Sequence, residues 1–145
     1  MSIVDILLPE IVLVEDTLDD EMMSLRGISN SGIPCHVTVR RDGAEALDHL
    51  LSAHEYLPKL ILLDLHLPQV SGLEILARLR AHDRTRFVPI VMFSGSNSGS
   101  DILECYKRGA NSCVTKPSDA KEYVDRLASV IQYWLTMNDT TDYGY

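Results

Sequence analysis

Five polar residues follow directly on short aliphatic runs, and their types suit one kind of chemistry. Glu15 and Asp16 come after residues 11–14, Asp64 after residues 60–63, Ser94 after residues 89–93, and Lys116, followed by Pro117, after residues 113–115. Three carboxylates brought together without compensation repel one another and raise at least one pKa, so such a cluster calls for a cation. Mg²⁺ is the natural choice, since it takes hard oxygen ligands, commonly one or two carboxylates completed by waters and phosphate oxygens. Lys116 adds a second positive charge and Ser94 a hydroxyl. Together these groups can hold a phosphoryl group, whose negative charge is spread over its equatorial oxygens, and an aspartate is an established covalent acceptor.

Taken singly, each residue has an ordinary explanation. An Asp after a strand is commonly a turn or cap residue, a lysine is mostly a surface charge, and Ser94 opens a Ser-Gly-Ser-Asn-Ser-Gly-Ser stretch that reads as loop. Their joint occurrence at consecutive run ends carries the argument.

The runs must be positioned by a common frame. Four of them, with a more alternating segment over residues 35–39, read as five strands. Near-continuous aliphatic character over 11–14, 60–63 and 89–93 is the habit of parallel strands buried on both faces. Between them lie residues at helical spacing: Leu47, Leu50 and Leu51; Leu73, Leu76 and Leu79; Tyr123, Leu127, Val130, Ile131 and Trp134. Asp42 with Glu45, Ser71 with Glu74 and Asp119 with Glu122 have the spacing of reciprocal helix caps. Alternating strands and helices predict an α/β fold, a doubly wound five-stranded parallel sheet with helices on both faces. Ligands of such sheets bind beyond the carboxyl ends of the strands.

The 145 residues suit one domain, expected over 1–137 with a frayed polar tail over 138–145. A net charge of −8 disfavours nucleic acid and acidic membranes. No apolar run reaches the ~20 residues of a membrane span, and a cytoplasmic location is expected. Cys35, Cys105 and Cys113 are odd in number and lack C-x-x-C spacing, which predicts reduced structural thiols. His49 and His54 fall off the i, i+4 spacing of a helical metal site.

Val-Glu-Asp at 14–16, Leu-Leu-Asp-Leu-His-Leu-Pro ending at Pro68, Gly72 four residues on, Ser94 and Lys116-Pro117 resemble, in order and spacing, the receiver domains of two-component response regulators. The resemblance runs from about Glu10 to Trp134 and implies a flavodoxin-like receiver fold. It further implies that Asp64 accepts a phosphoryl group from a histidine kinase, and that Glu15, Asp16, Asp64 and the His66 backbone carbonyl hold Mg²⁺. Lys116 would pair with the acyl phosphate, Ser94 would swing toward a phosphoryl oxygen, and the peptide before Pro117 would be cis. Such a protein is no enzyme toward other substrates; it catalyses only its own phosphorylation and dephosphorylation.

Gly-Ala-Asn-Ser at 109–112, Thr-Lys-Pro at 115–117 and Tyr133-Trp134 are similar to stand-alone receivers that partner phytochrome-type histidine kinases. With no output domain in view, the signal would leave through the receiver's own surface or pass to a histidine phosphotransfer protein. The apolar and aromatic residues Val130, Ile131, Tyr133 and Trp134 are divided between core packing and a homodimer using the fourth strand and last helix.

Two positions depart from the family pattern. Cys113 stands three before the lysine, where receivers often carry a switching aromatic, which leaves loop movement or another aromatic such as Tyr106 to report the switch. His66 and Ser96 flank the approach of water and are expected to tune phosphate lifetime. Three other functions compete: a phosphorylation-independent interaction module of receiver shape, an aspartate-nucleophile hydrolase, and a flavin-binding protein. The hydrolase reading lacks a second catalytic Asp at position 66, and Glu15-Asp16 puts negative charge where a flavin phosphate would bind.

Overall fold

The computed structural model describes residues 8–52, 56–95 and 98–140. Strands β1 (Glu10–Val14), β2 (His36–Arg40), β3 (Leu60–Leu63), β4 (Ile90–Ser94) and β5 (Ser112–Thr115) alternate with helices α1 (Leu18–Asn30), α2 (Gly43–Leu51), α3 (Gly72–Ala81), α4 (Gly99–Lys107) and α5 (Ala120–Gln132). The strands form one parallel sheet in the order β2-β1-β3-β4-β5. The order reverses between β1 and β3, so the crevice for a ligand opens beyond the carboxyl ends of those two strands.

Side-chain alternation along each strand feeds two cores. Ile11, Leu13, Leu62 and Phe93 pack with Ile28 of α1 and Tyr123, Leu127 and Ile131 of α5. Val12, Val14, Ile61, Leu63 and Met92 pack on the other face with α2, α3 and Cys105 of α4. The central strands β3 and β4 are buried throughout, whereas the edge strands β2 and β5 are only partly so. At ~1.5–3 kcal/mol for each fully buried aliphatic side chain, these two layers dominate the favourable side of folding.

The N-cap half of each expected reciprocal cap is present: Asp42 accepts from the amides of Ala44 and Glu45, Ser71 from Glu74, and Asp119 from Glu122. A fourth, Ser98, accepts from the Asp101 amide at 3.2 Å, within the Ser/Gly stretch that composition alone assigns to loop. Cys35, Cys105 and Cys113 are free thiols. Helix α5 passes into a π-helical turn, Tyr133–Met137. There Val130 and Trp134 pack on the core, while Tyr133 and Met137 are exposed.

Two expectations are corrected. Strand β4 cannot serve as a dimer surface, because it lies fully buried between β3 and β5, and the edge strand on that side is β5. The peptide before Pro117 is trans, since no described bond is cis; trans is the lower-energy form of an X-Pro bond by ~0.5–1 kcal/mol. Of the tail expected over 138–145, residues 141–145 lie outside the described residues, as do Ser96 and His54. The first tail residue, Asn138, is held by its amide on the Tyr133 carbonyl at 2.8 Å.

The loop after β3 is folded tightly onto the start of α3. The Gly72 amide donates to the Leu65 carbonyl at 3.0 Å, and a Cβ at Gly72 would lie 2.0 Å from the Asp64 carbonyl oxygen. Gln69, in the same loop, holds φ at 64°, a left-handed conformation that costs a non-glycine residue ~1–2 kcal/mol. Replacing Gly72 by Ala therefore forces the chain around Asp64 to move. Urea unfolding should show a loss of at least ~1–3 kcal/mol, the usual cost of overpacking; wild-type stability would contradict the close approach.

Candidate functional site

Glu15, Asp64, Ser94 and Lys116 arrive at the carboxyl edge of the sheet because each is the first residue after, or the last residue of, a strand, and Asp16 follows one residue later. The Glu15 amide extends the β1–β2 ladder onto the Arg40 carbonyl, and the Asp64 amide extends the β3 ladder onto Val14. At the next pair of strand ends, the Lys116 amide donates to the Ser94 carbonyl at 2.7 Å. Backbone pairing therefore fixes the Cα positions of all four before any side chain contributes. Ser94 is 5% exposed and Asp64 9%, so both lie at the floor of the crevice.

The side chains converge on the Lys116 ammonium, which is 7% exposed. It donates to Glu15 Oε2 at 2.5 Å, to Asp20 Oδ2 at 2.9 Å and to Asp64 Oδ2 at 3.4 Å. The other Glu15 oxygen accepts from the amides of Asp16 and Thr17 at 3.1 and 3.3 Å and from the Thr17 hydroxyl at 3.3 Å. Asp64 Oδ1 accepts from the His66 amide at 3.4 Å. The His66 side chain itself points to solvent.

One oxygen from each of Glu15, Asp16 and Asp64 lies within 4.8 Å of the others. An Mg²⁺ ion with ligands at ~2.1 Å spans ~4.2 Å between oxygens on opposite sides, so a small side-chain adjustment would close this set around a hard cation. The donor chemistry fits as well. Glu15, Asp20 and Asp64 meet the Lys116 ammonium, and Asp16 clusters with Glu15 and Asp64, so the carboxylates outnumber the one lysine they surround.

Burial raises the Glu15 carboxyl from 4.5 to about 7; the Lys116 hydrogen bond opposes this and the nearby Asp64 charge reinforces it. Burial works against the Lys116 ammonium, but its hydrogen bonds to Glu15 and Asp20 and the charges of Asp64 and Glu15 more than offset it, so its pKa lies above the ordinary lysine value. The lysine is thus a fixed positive charge, whereas Glu15 titrates near neutrality when no metal is bound.

Asp20 escaped the sequence reading. It lies in the first turn of α1 beside Asp19 and Glu21, where acidic residues are already explained by the helix dipole. Glu21 has such a role: it is buried and paired with Arg41 at 2.7 Å. Only the three-dimensional meeting of α1 with the end of β5 singles out Asp20.

Around Cys113 the packing matches its small size. A cavity of about 10 Å³ lies between Ser94, Leu65, Met92, Asp101, Cys105 and Cys113, room for about one water. The thiols of Cys105 and Cys113 are hydrogen-bonded to each other, and burial raises both, Cys113 to about 12. Thiolate chemistry is therefore disfavoured, in keeping with a structural role. The half-exposed Tyr106 places its hydroxyl on the Cys113 amide at 3.3 Å.

Residues 11–128 match the family model of the response regulator receiver domain. The chain is 34% identical over 132 residues to the probable methanogenesis regulatory protein FilR2 of Methanothrix harundinacea, covering 88% of this chain and 84% of that protein. It is 30% identical over 129 residues to the response regulator Rcp1 of Synechocystis, covering 86% and 88%. The Mn²⁺-bound structure of Rcp1 superposes with a TM-score of 0.85 at 27% identity, covering 92% of this chain and 99% of that one. The phosphorylated cyanobacterial phytochrome response regulator RcpA superposes with a TM-score of 0.86 at 31% identity, covering 91% and 97%.

The Glu15 shift has a measurable consequence. A carboxyl whose folded pKa is raised from 4.5 to about 7 adds stability below its unfolded pKa and loses that contribution as pH rises through its folded one. The melting temperature of metal-free protein should accordingly decline between pH 5 and 8 through this group, and the gain on adding Mg²⁺ should grow over the same interval, because the ligand must be deprotonated to bind. Glu15→Gln should flatten both trends. A stabilisation by Mg²⁺ that is independent of pH in the wild type would count against this role of Glu15.

Proposed function

Since the chain belongs to the response regulator receiver domain family, we propose that it takes a phosphoryl group on Asp64 from a histidine kinase and signals through a conformational switch of its own surface. The observation that carries this reading is the meeting of Lys116 with Asp64 and Glu15 at adjoining strand ends. In the reaction an Asp64 carboxylate oxygen forms the new bond to phosphorus while the bond to the donor's imidazole nitrogen, or to the oxygen of an acyl phosphate, breaks and the leaving group keeps the electron pair. Lys116 is held charged where it can meet the phosphoryl oxygens, and Ser94 supplies a hydroxyl at the end of the neighbouring strand. The receiver unit is taken as residues 1–137, with 138–145 a polar tail.

The bound metal is Mg²⁺ in this reading, held by Glu15, Asp16, Asp64 and the His66 carbonyl; it would neutralise charge developing on the transferred group. Support comes from the three-carboxylate cluster and from a relative, Rcp1, solved with Mn²⁺. The phytochrome response regulators among the similar structures favour a phytochrome-type sensor kinase as donor. A histidine phosphotransfer protein is a further partner, and a second copy of the chain would dock through the exposed residues at the end of α5. No described helix is long and apolar enough to cross a membrane, and the proposed setting is the cytoplasm.

Incubation with Mg²⁺ and acetyl phosphate, read by intact mass, tests the acceptor. One phosphoryl group should appear on the wild type and be absent from Asp64→Asn and from samples with chelator. No gain in the wild type, under conditions where another receiver is modified, would favour the phosphorylation-independent module.

A further inference from the structure

We propose that Asp20 is a positioning residue that competes with the phosphoryl group for Lys116 and so sets how tightly the phosphorylated state is held; this rests on the phosphoacceptor reading above. The ammonium has three N–H donors, and three carboxylates face it: Glu15, Asp20 and Asp64. For Lys116 to serve a phosphoryl oxygen, one of these partners must give way. Glu15 and Asp64 change state during the cycle, because both belong to the carboxylate set that can close around a cation and Asp64 becomes esterified. Asp20 belongs to neither change. It lies 2.9 Å from Nζ, at the one contact that neither metal binding nor esterification of Asp64 itself dissolves.

The placement of Asp20 is built into the fold. Its backbone carbonyl accepts a hydrogen bond from the Tyr123 hydroxyl at 3.2 Å, and that hydroxyl also pairs with the buried Ser24 at 2.8 Å. Tyr123 is 3% exposed and meets the ring of Phe93, the residue before Ser94, edge-on at 5.0 Å. The first turn of α1 is thereby fixed against α5 and β4. Asp20 holds Lys116 from one side with a side chain that is still 37% exposed, so the contact can be given up at modest cost.

The test measures binding of beryllofluoride, a mimic of the aspartyl phosphoryl group, to the full chain in saturating Mg²⁺. Asp20→Asn should tighten binding about three- to five-fold, the size of one partly exposed ion pair, while Asp20→Glu keeps wild-type affinity. In a Lys116→Met background Asp20→Asn should change nothing, a double-mutant cycle that a merely structural role would not close. Unchanged or weaker binding in Asp20→Asn, or an effect that persists without Lys116, overturns the proposal. A wild type that takes up neither beryllofluoride nor a phosphoryl group sinks the acceptor reading itself, and this inference with it.

Discussion

The Lys116 ammonium is the point on which the site depends. It lies almost wholly out of water among carboxylates that come from the end of β1, the first turn of α1 and the end of β3. A buried charge of this kind is tolerated only when well paired. The pairing is possible because parallel ladders bring residues 15, 64, 94 and 116 to one edge. The cost of burying Lys116 is thus met by the same carboxylates whose mutual repulsion Lys116 relieves, and the excess negative charge is what a divalent cation would neutralise. Electrostatics and topology are one constraint: shifting any of the three central strands by a residue would turn its terminal carboxylate or hydroxyl to the other face.

The two cores serve this arrangement unequally. On the α1/α5 face, Gly27 lets the helices approach until an added Cβ would lie 2.9 Å from Leu127 Cβ. That closeness brings Tyr123 to Ser24 and to the Asp20 carbonyl. On the other face a cavity of about one water lies between Ser94, Cys113 and Cys105 of α4.

Most of the frame was legible in the sequence because burial on both faces leaves an unmistakable mark: residues 11–14, 60–63 and 89–93 are apolar throughout. Capping was equally plain at Asp42, Ser71 and Asp119, where a polar residue precedes an acidic one by three. It was hidden at Ser98 because its neighbours are themselves Ser and Gly, residues that fit a loop equally well. The clustering of Glu15, Asp16 and Asp64 was readable from their positions after strands. Asp20 was not, since a helix-start acid already has a local reason to exist and its meeting with Lys116 joins residues 96 positions apart. The choice of β4 as a docking surface failed for a related reason: an aliphatic run shows that a strand is buried but says nothing of the order in which strands pair.

The strand-end carboxylates would form a single cation site whose charge Lys116 only partly balances. Titration with Mn²⁺, followed by its paramagnetic signal, tests this most directly. One ion should bind per chain, be displaced by Mg²⁺, be lost when Asp16 and Asp64 are both replaced by Asn, and bind more tightly in Lys116→Met, where a competing positive charge is gone. Absence of a bound ion in the wild type, or binding that survives the double replacement unchanged, would contradict it.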